Sequence, residues 1–161
     1  MIYYFIGLFV LVFIICTFFL NKKNNTIKNI ESIKYFHLSY SNGYMANSNT
    51  TYNINCEDKC VLELKPKYIP DEETISIELS NDEINKLIEI INKYQVIKWD
   101  GFNESDKDVL DGDSFSLSIK TKDNISVSAS GYMKYPKGYS SFEKEIDELF
   151  EKYIPENMKK F

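Results

Sequence analysis

The 161-residue chain has room for one domain rather than two. Its acids all lie at or after Glu31, where 24 carboxylates face 16 lysines for a formal charge of −8. That balance repels phosphate backbones and anionic headgroups, so it argues against nucleic-acid binding. Arginine is absent, which removes bidentate clamping of phosphate or carboxylate. The abundance of Ile, Asn and Lys points to an AT-rich bacterial genome.

Ile2 to Leu20 is apolar and uncharged. As a helix it spans about 28 Å, close to one hydrocarbon core. Tyr3 and Tyr4 suit the headgroup level at one end, and Asn21, Lys22 and Lys23 mark the other. The segment is therefore expected to be an uncleaved transmembrane anchor. A cleaved signal peptide competes with this reading, but no lysine precedes the run and Phe18-Phe19-Leu20 offers no small residue for cleavage. Lipidation at Cys16 also competes, but bulky Ile15 occupies a lipobox position that calls for a small residue.

The sidedness signals conflict. Lysines follow the anchor, which by the positive-inside rule places the domain in the cytoplasm. Cys56-Glu57-Asp58-Lys59-Cys60 joins two strand-like runs, and a disulfide between Cys56 and Cys60 would persist only in an oxidising compartment. The reading adopted is an extracytoplasmic domain on a single-pass bacterial membrane protein of the cell envelope.

Residues 21–30 read as a polar linker. About 130 residues then remain, enough for one core that buries roughly two-thirds of its unfolded surface. Strand-like alternation runs from Ile33 to Tyr40 and ends at Asn42-Gly43, a hairpin signal. It resumes weakly over Tyr44 to Asn55 and again over Cys60 to Lys65. Pro66 to Glu73 reads as a loop, and Thr74 to Leu79 alternates at period two. Ser80 with Glu83 is a capping box opening a helix, whose stripe is Ile84, Leu87, Ile88, Ile91 and Tyr94. Val96 to Trp99 is expected to be extended. Ser114 to Thr121 and Ile125 to Ser130 form a hairpin about Lys122-Asp123-Asn124, with Gly131 ending it. A last helix is expected from near Ser140, with Glu143 three residues on. Its stripe is Phe142, Ile146, Leu149, Phe150 and Tyr153, and Pro155 stops it. The expected fold is α+β: an N-terminal transmembrane helix, then an antiparallel sheet with two helices packed on one face. The domain is placed at 31–155, with a tail at 156–161.

Trp99-Asp100-Gly101-Phe102, Val109-Leu110-Asp111-Gly112 before Phe115, Leu117 and Ile119, and then Ser130-Gly131 and Tyr135-Pro136 before Tyr139 form a further pattern. It resembles an uncharacterised domain of bacterial lipoproteins and membrane-anchored proteins. The resemblance implies an α+β fold in a surface-anchored setting and no particular chemistry.

Glu104, Asp106, Asp108, Asp111 and Asp113 crowd one segment, and calcium takes six to eight such oxygens. Asp106, Asp108, Asp111 and Asp113 are thus the weak metal candidates. The spacing is not that of an EF-hand, since the twelfth position from Asp106 is Leu117 rather than Glu. A solvated loop with a turn at Asp111-Gly112 is the plainer reading. Paired carboxylates also serve glycoside hydrolysis, but nothing in the sequence places these on a cleft. His37 is the only histidine, so neither a zinc site nor a serine triad is supported. The Cys-x3-Cys spacing is one residue too long for a redox pair. Trp99 and Phe102 read as core. Tyr132, Tyr135 and Tyr139 read as aromatics able to stack on a ligand while their hydroxyls stay wet.

No catalytic residue and no cofactor is assigned, calcium remaining an open possibility. The expected function is a non-catalytic, membrane-tethered module binding an unknown protein or envelope component. The alternative is a cell-surface hydrolase, or a calcium-dependent domain, using Glu104 to Asp113.

Overall fold

The computed structural model describes residues 28–41, 43, 49–67 and 74–156. The expected anchor, most of the linker and nearly all of the tail lie outside the described residues. The strands are β1 (Tyr35–Ser41), β2 (Asn49–Cys56), β3 (Cys60–Lys65), β4 (Ile75–Glu78), β5 (Asn103–Ser105), β6 (Ser114–Lys120) and β7 (Ser126–Tyr132). The helices are α1 (Asn81–Lys93) and α2 (Tyr139–Phe150). The strands make one sheet in the order β4-β3-β2-β1-β6-β7-β5, antiparallel throughout except where β5 runs parallel to β7. The fold is mixed α+β.

Side chains alternate across a strand, so each strand offers one apolar row. Leu38 pairs with Tyr52 on one side and Leu117 on the other, and Phe36 likewise with Ile54 and Ile119. All six are buried. Leu87 and Ile91 of α1 and Phe142, Ile146 and Phe150 of α2 belong to the same core, so both helices cover this face. The other face is polar, and its hydroxyls pair between strands: Ser39 with Thr51 at 3.1 Å and Ser41 with Ser114 at 2.7 Å.

The capping box opens α1 as its sequence predicts. The Glu83 N–H donates to the Ser80 hydroxyl at 3.4 Å, and the Ser80 N–H donates to the Glu83 carboxylate at 2.7 Å. Glu83 does more than cap. Its second oxygen accepts from Lys152 and from the Tyr153 hydroxyl, tying the turn after α2 to the start of α1.

Several expectations are corrected. Val96–Trp99 is a 3₁₀ turn rather than extended chain. Gln95 is left-handed at φ 53°, which ends the helical run, and the three-residue period then turns both Val96 and Trp99 inward, where they are buried. Trp99 meets Phe142 edge-on at 5.2 Å, so it is core, as expected. The linker stops short of Ile30, which is buried and exchanges two 2.8 Å hydrogen bonds with the Asn92 side chain. The first hairpin pairs Ser41 with Asn49, so it does not close on a two-residue Asn-Gly turn. Strand β7 continues through Gly131 to Tyr132 because Ser114 and Phe115 still pair with it there. Helix α2 starts one residue early, behind Gly138 at φ 88°, with no side-chain cap. Burial of Tyr139 against Phe115, with ring centroids 4.3 Å apart, draws that residue into the first turn.

Burial by itself would raise the Glu83 pKa; hydrogen bonds from Lys152, Tyr153 and Ser80 outweigh it and hold the carboxyl down to about 2. A folded value below the ordinary 4.5 means the stabilisation is complete above about pH 4.5 and is lost as pH falls toward 2. Glu83→Gln should therefore cost on the order of 2 kcal/mol near neutral pH. It should also flatten the acid limb of the stability curve, as read by urea denaturation across pH 2–7.

Candidate functional site

The inward row of β1 ends in Tyr40, whose cross-strand partners are Thr50 and Phe115. Tyr52 lies diagonally beside it on β2. Both rings face α2, and both hydroxyls donate to one oxygen of Asp147, from Tyr40 at 2.5 Å and from Tyr52 at 2.6 Å. Asp147 can sit there because it follows Ile146 of the buried stripe, which places it at the margin of the core. Glu143, one turn earlier, follows Phe142 in the same way.

These residues border two adjoining clefts. One, of about 630 Å³, is lined by Tyr40, Asp113, Tyr135, Tyr139 and Glu143 among others. The other, of about 510 Å³, shares Tyr40, Lys67 and Glu143 and extends past Asp147. Together they carry five carboxylates against two lysines. Burial raises the Glu143 pKa and the Asp147 charge pushes it further up; the adjacent Tyr139 hydroxyl draws it back down, with smaller opposing effects from Asp113 and Lys67. Burial also raises Asp147, opposed in part by its two tyrosine hydrogen bonds. Tyr139 is pushed up by burial first and then by the Glu143 charge. Its hydroxyl is buried beside Glu143, whose pKa it draws down, without closing a full hydrogen bond. Above it the rings stack: Tyr135 lies 5.0 Å from Tyr139 and 5.7 Å from Phe115. Such a site can hold a cation or donate and accept hydrogen bonds to a polar ligand laid on an aromatic face.

The sequence-predicted tyrosines divide. Tyr135 is 40% exposed at the cleft rim, and Tyr139 is buried beneath it. Tyr132 does structural work, its hydroxyl accepting the Gly112 N–H at 2.7 Å. The acidic residues do not converge. Asp106 accepts from the Asp108 N–H at 3.1 Å and pairs with Lys134 at 3.5 Å. Glu104, Asp108 and Asp111 are exposed, and Leu110 between them is 93% exposed. Only Asp113 reaches the cleft. Among the described residues no three His, Cys, Asp or Glu side chains gather as a metal would require. Gly112 is needed less for its turn than for space: a Cβ there would fall 2.3 Å from the Met133 side chain, and one on Gly43 would fall 2.5 Å from the Gly112 carbonyl oxygen. Cys56 and Cys60 are bridged across the β2–β3 hairpin. His37 meets Asn53 at 2.7 Å on the polar face, away from the cleft.

Sequence reasoning missed Tyr40, Tyr52, Glu143 and Asp147. One signal was available: Glu143 and Asp147 lie four apart, each just after a residue of the buried stripe. Tyr52→Phe should cost about 1.5–3 kcal/mol, the range for a hydrogen bond to a charged group. It should also raise the Asp147 pKa further, which carboxyl-carbon NMR titration would measure; Tyr40→Phe should act in the same direction.

In comparisons with known proteins, the chain matches no family model and no curated protein.

Proposed function

We propose that this chain is a membrane-tethered, non-catalytic module whose α+β domain binds a protein or cell-envelope component on the outer side of a bacterial membrane. The cleft of Tyr40, Tyr135, Tyr139, Glu143 and Asp147 carries the reading: its size falls in the range of small-molecule sites, and it sets polar groups of perturbed proton affinity beside an exposed ring. Tethering is supported by the uncharged run Ile2 to Leu20 alone. Among the described residues no helix is long and apolar enough to cross a membrane. The Cys56–Cys60 bridge supports an oxidising compartment, against the lysines that follow the anchor. The resemblance to membrane-anchored bacterial domains agrees with that setting. A hydrolase or calcium-dependent domain built on Glu104 to Asp113 has less behind it, because those carboxylates splay apart.

A photoreactive phenylalanine analogue at Tyr135 in the full-length protein should capture an envelope component in intact cells, and the same probe at His37 on the opposite face should not. Equal capture from both faces, or none from Tyr135, would overturn the assignment to the cleft. Membrane-impermeant alkylation of intact cells should label Cys56 and Cys60 only after reduction. Labelling that requires an opened membrane would place the domain inside.

A further inference from the structure

We infer that the cleft takes a protonated primary amine carried on a sugar, with the ammonium held between the Glu143 carboxylate and the Tyr139 phenolic oxygen and the sugar ring laid on Tyr135. This deepens the proposal above and rests on its assignment of the cleft as the binding site.

Three independent observations converge on it. The first is the buried hydroxyl of Tyr139, a residue of the cleft wall, which lies beside Glu143 without closing a full hydrogen bond. Buried polar atoms are nearly always satisfied, so an orphan beside a cavity marks a place where a ligand completes the bonding. The second is charge. Five carboxylates against two lysines line the joined clefts, so an anionic ligand is repelled and a cationic one is drawn in. An ammonium group donates three hydrogen bonds and accepts none. Here Glu143 and the phenolic oxygen of Tyr139 supply acceptors on the first cleft, and Asp147 adds a further carboxylate on the adjoining one. The third is shape. Tyr135 is the most exposed ring of the Phe115–Tyr139–Tyr135 group, stacked at 26° on Tyr139, and it offers a flat aromatic face at the mouth of the cavity. A sugar ring matches that face, which a thread-like polyamine does not need.

The test is calorimetric titration of the detergent-solubilised full chain. The probes are a glucosamine tetramer, its fully N-acetylated counterpart and spermidine. The glucosamine tetramer should bind at least about tenfold more tightly than either of the others, the scale of one charged hydrogen bond. Glu143→Gln keeps the shape and should remove that preference. Tyr139→Phe removes the orphan hydroxyl and should weaken the glucosamine tetramer without lowering the melting temperature, which separates a ligand contact from a structural one. Equal binding of the acetylated tetramer would overturn the ammonium assignment, and equal binding of spermidine would overturn the sugar. If no probe binds while Tyr135 still captures a partner in cells, this inference falls and the cleft stands. If both fail, both fall.

Discussion

Everything in this domain hangs on the inward face of β1. The strand joins the β4-β3-β2 meander to the β6-β7-β5 half of the sheet, and among the described residues no other strand bridges the two. Phe36 and Leu38 have no exposed surface, and each is flanked by buried partners on both neighbouring strands. Burying side chains of this kind contributes about 1.5–3 kcal/mol apiece. A shift of one residue in β1 would turn that row outward and set His37 and Ser39 against the helices, so the register is strongly specified.

The same parity creates the cleft. Tyr40 is the next inward position after Leu38, and it lies at the margin of the cover that α2 gives the sheet. A tyrosine suits such a boundary, since its ring extends the core while its hydroxyl must be satisfied. Asp147 supplies the acceptor for both Tyr40 and Tyr52 with a single oxygen. The carboxylate is held at the edge of the apolar interior at some cost in desolvation, and the two hydroxyls offset part of it. Glu143 has a similar position, raised by burial and eased in part by the adjacent Tyr139 hydroxyl and by Lys67. The polarity of the site thus follows from how α2 ends the core, not from a dedicated loop.

Legibility from the sequence divided along the range of the forces involved. The α1 start was readable because Ser80 and Glu83 satisfy each other three residues apart. The β6–β7 hairpin was readable because Phe115, Leu117 and Ile119 alternate within one short run. Strand β5 was not: Asn103–Ser105 is three exposed residues with no apolar signal, held by parallel pairing to residues 130–132. The 3₁₀ turn at Val96–Trp99 was hidden because an apolar pair three apart is compatible with several backbone paths. Attention went to the acidic run at 104–113, where charges are dense in sequence but diverge in space. The cleft acids are sparse in sequence and are gathered with Tyr40 and Tyr52 only by packing.

The sequence by itself determined most of the local elements, the two-faced character of the strands and helices, and the acidic charge. These depend on periodicity and on contacts a few residues apart, and such information is written in adjacent letters. Tertiary structure alone decided that β1 lies at the centre of the seven described strands and that Tyr40, Tyr52, Glu143 and Asp147 meet. Those contacts span up to 107 residues of chain, and only burial of the common apolar face brings their partners together.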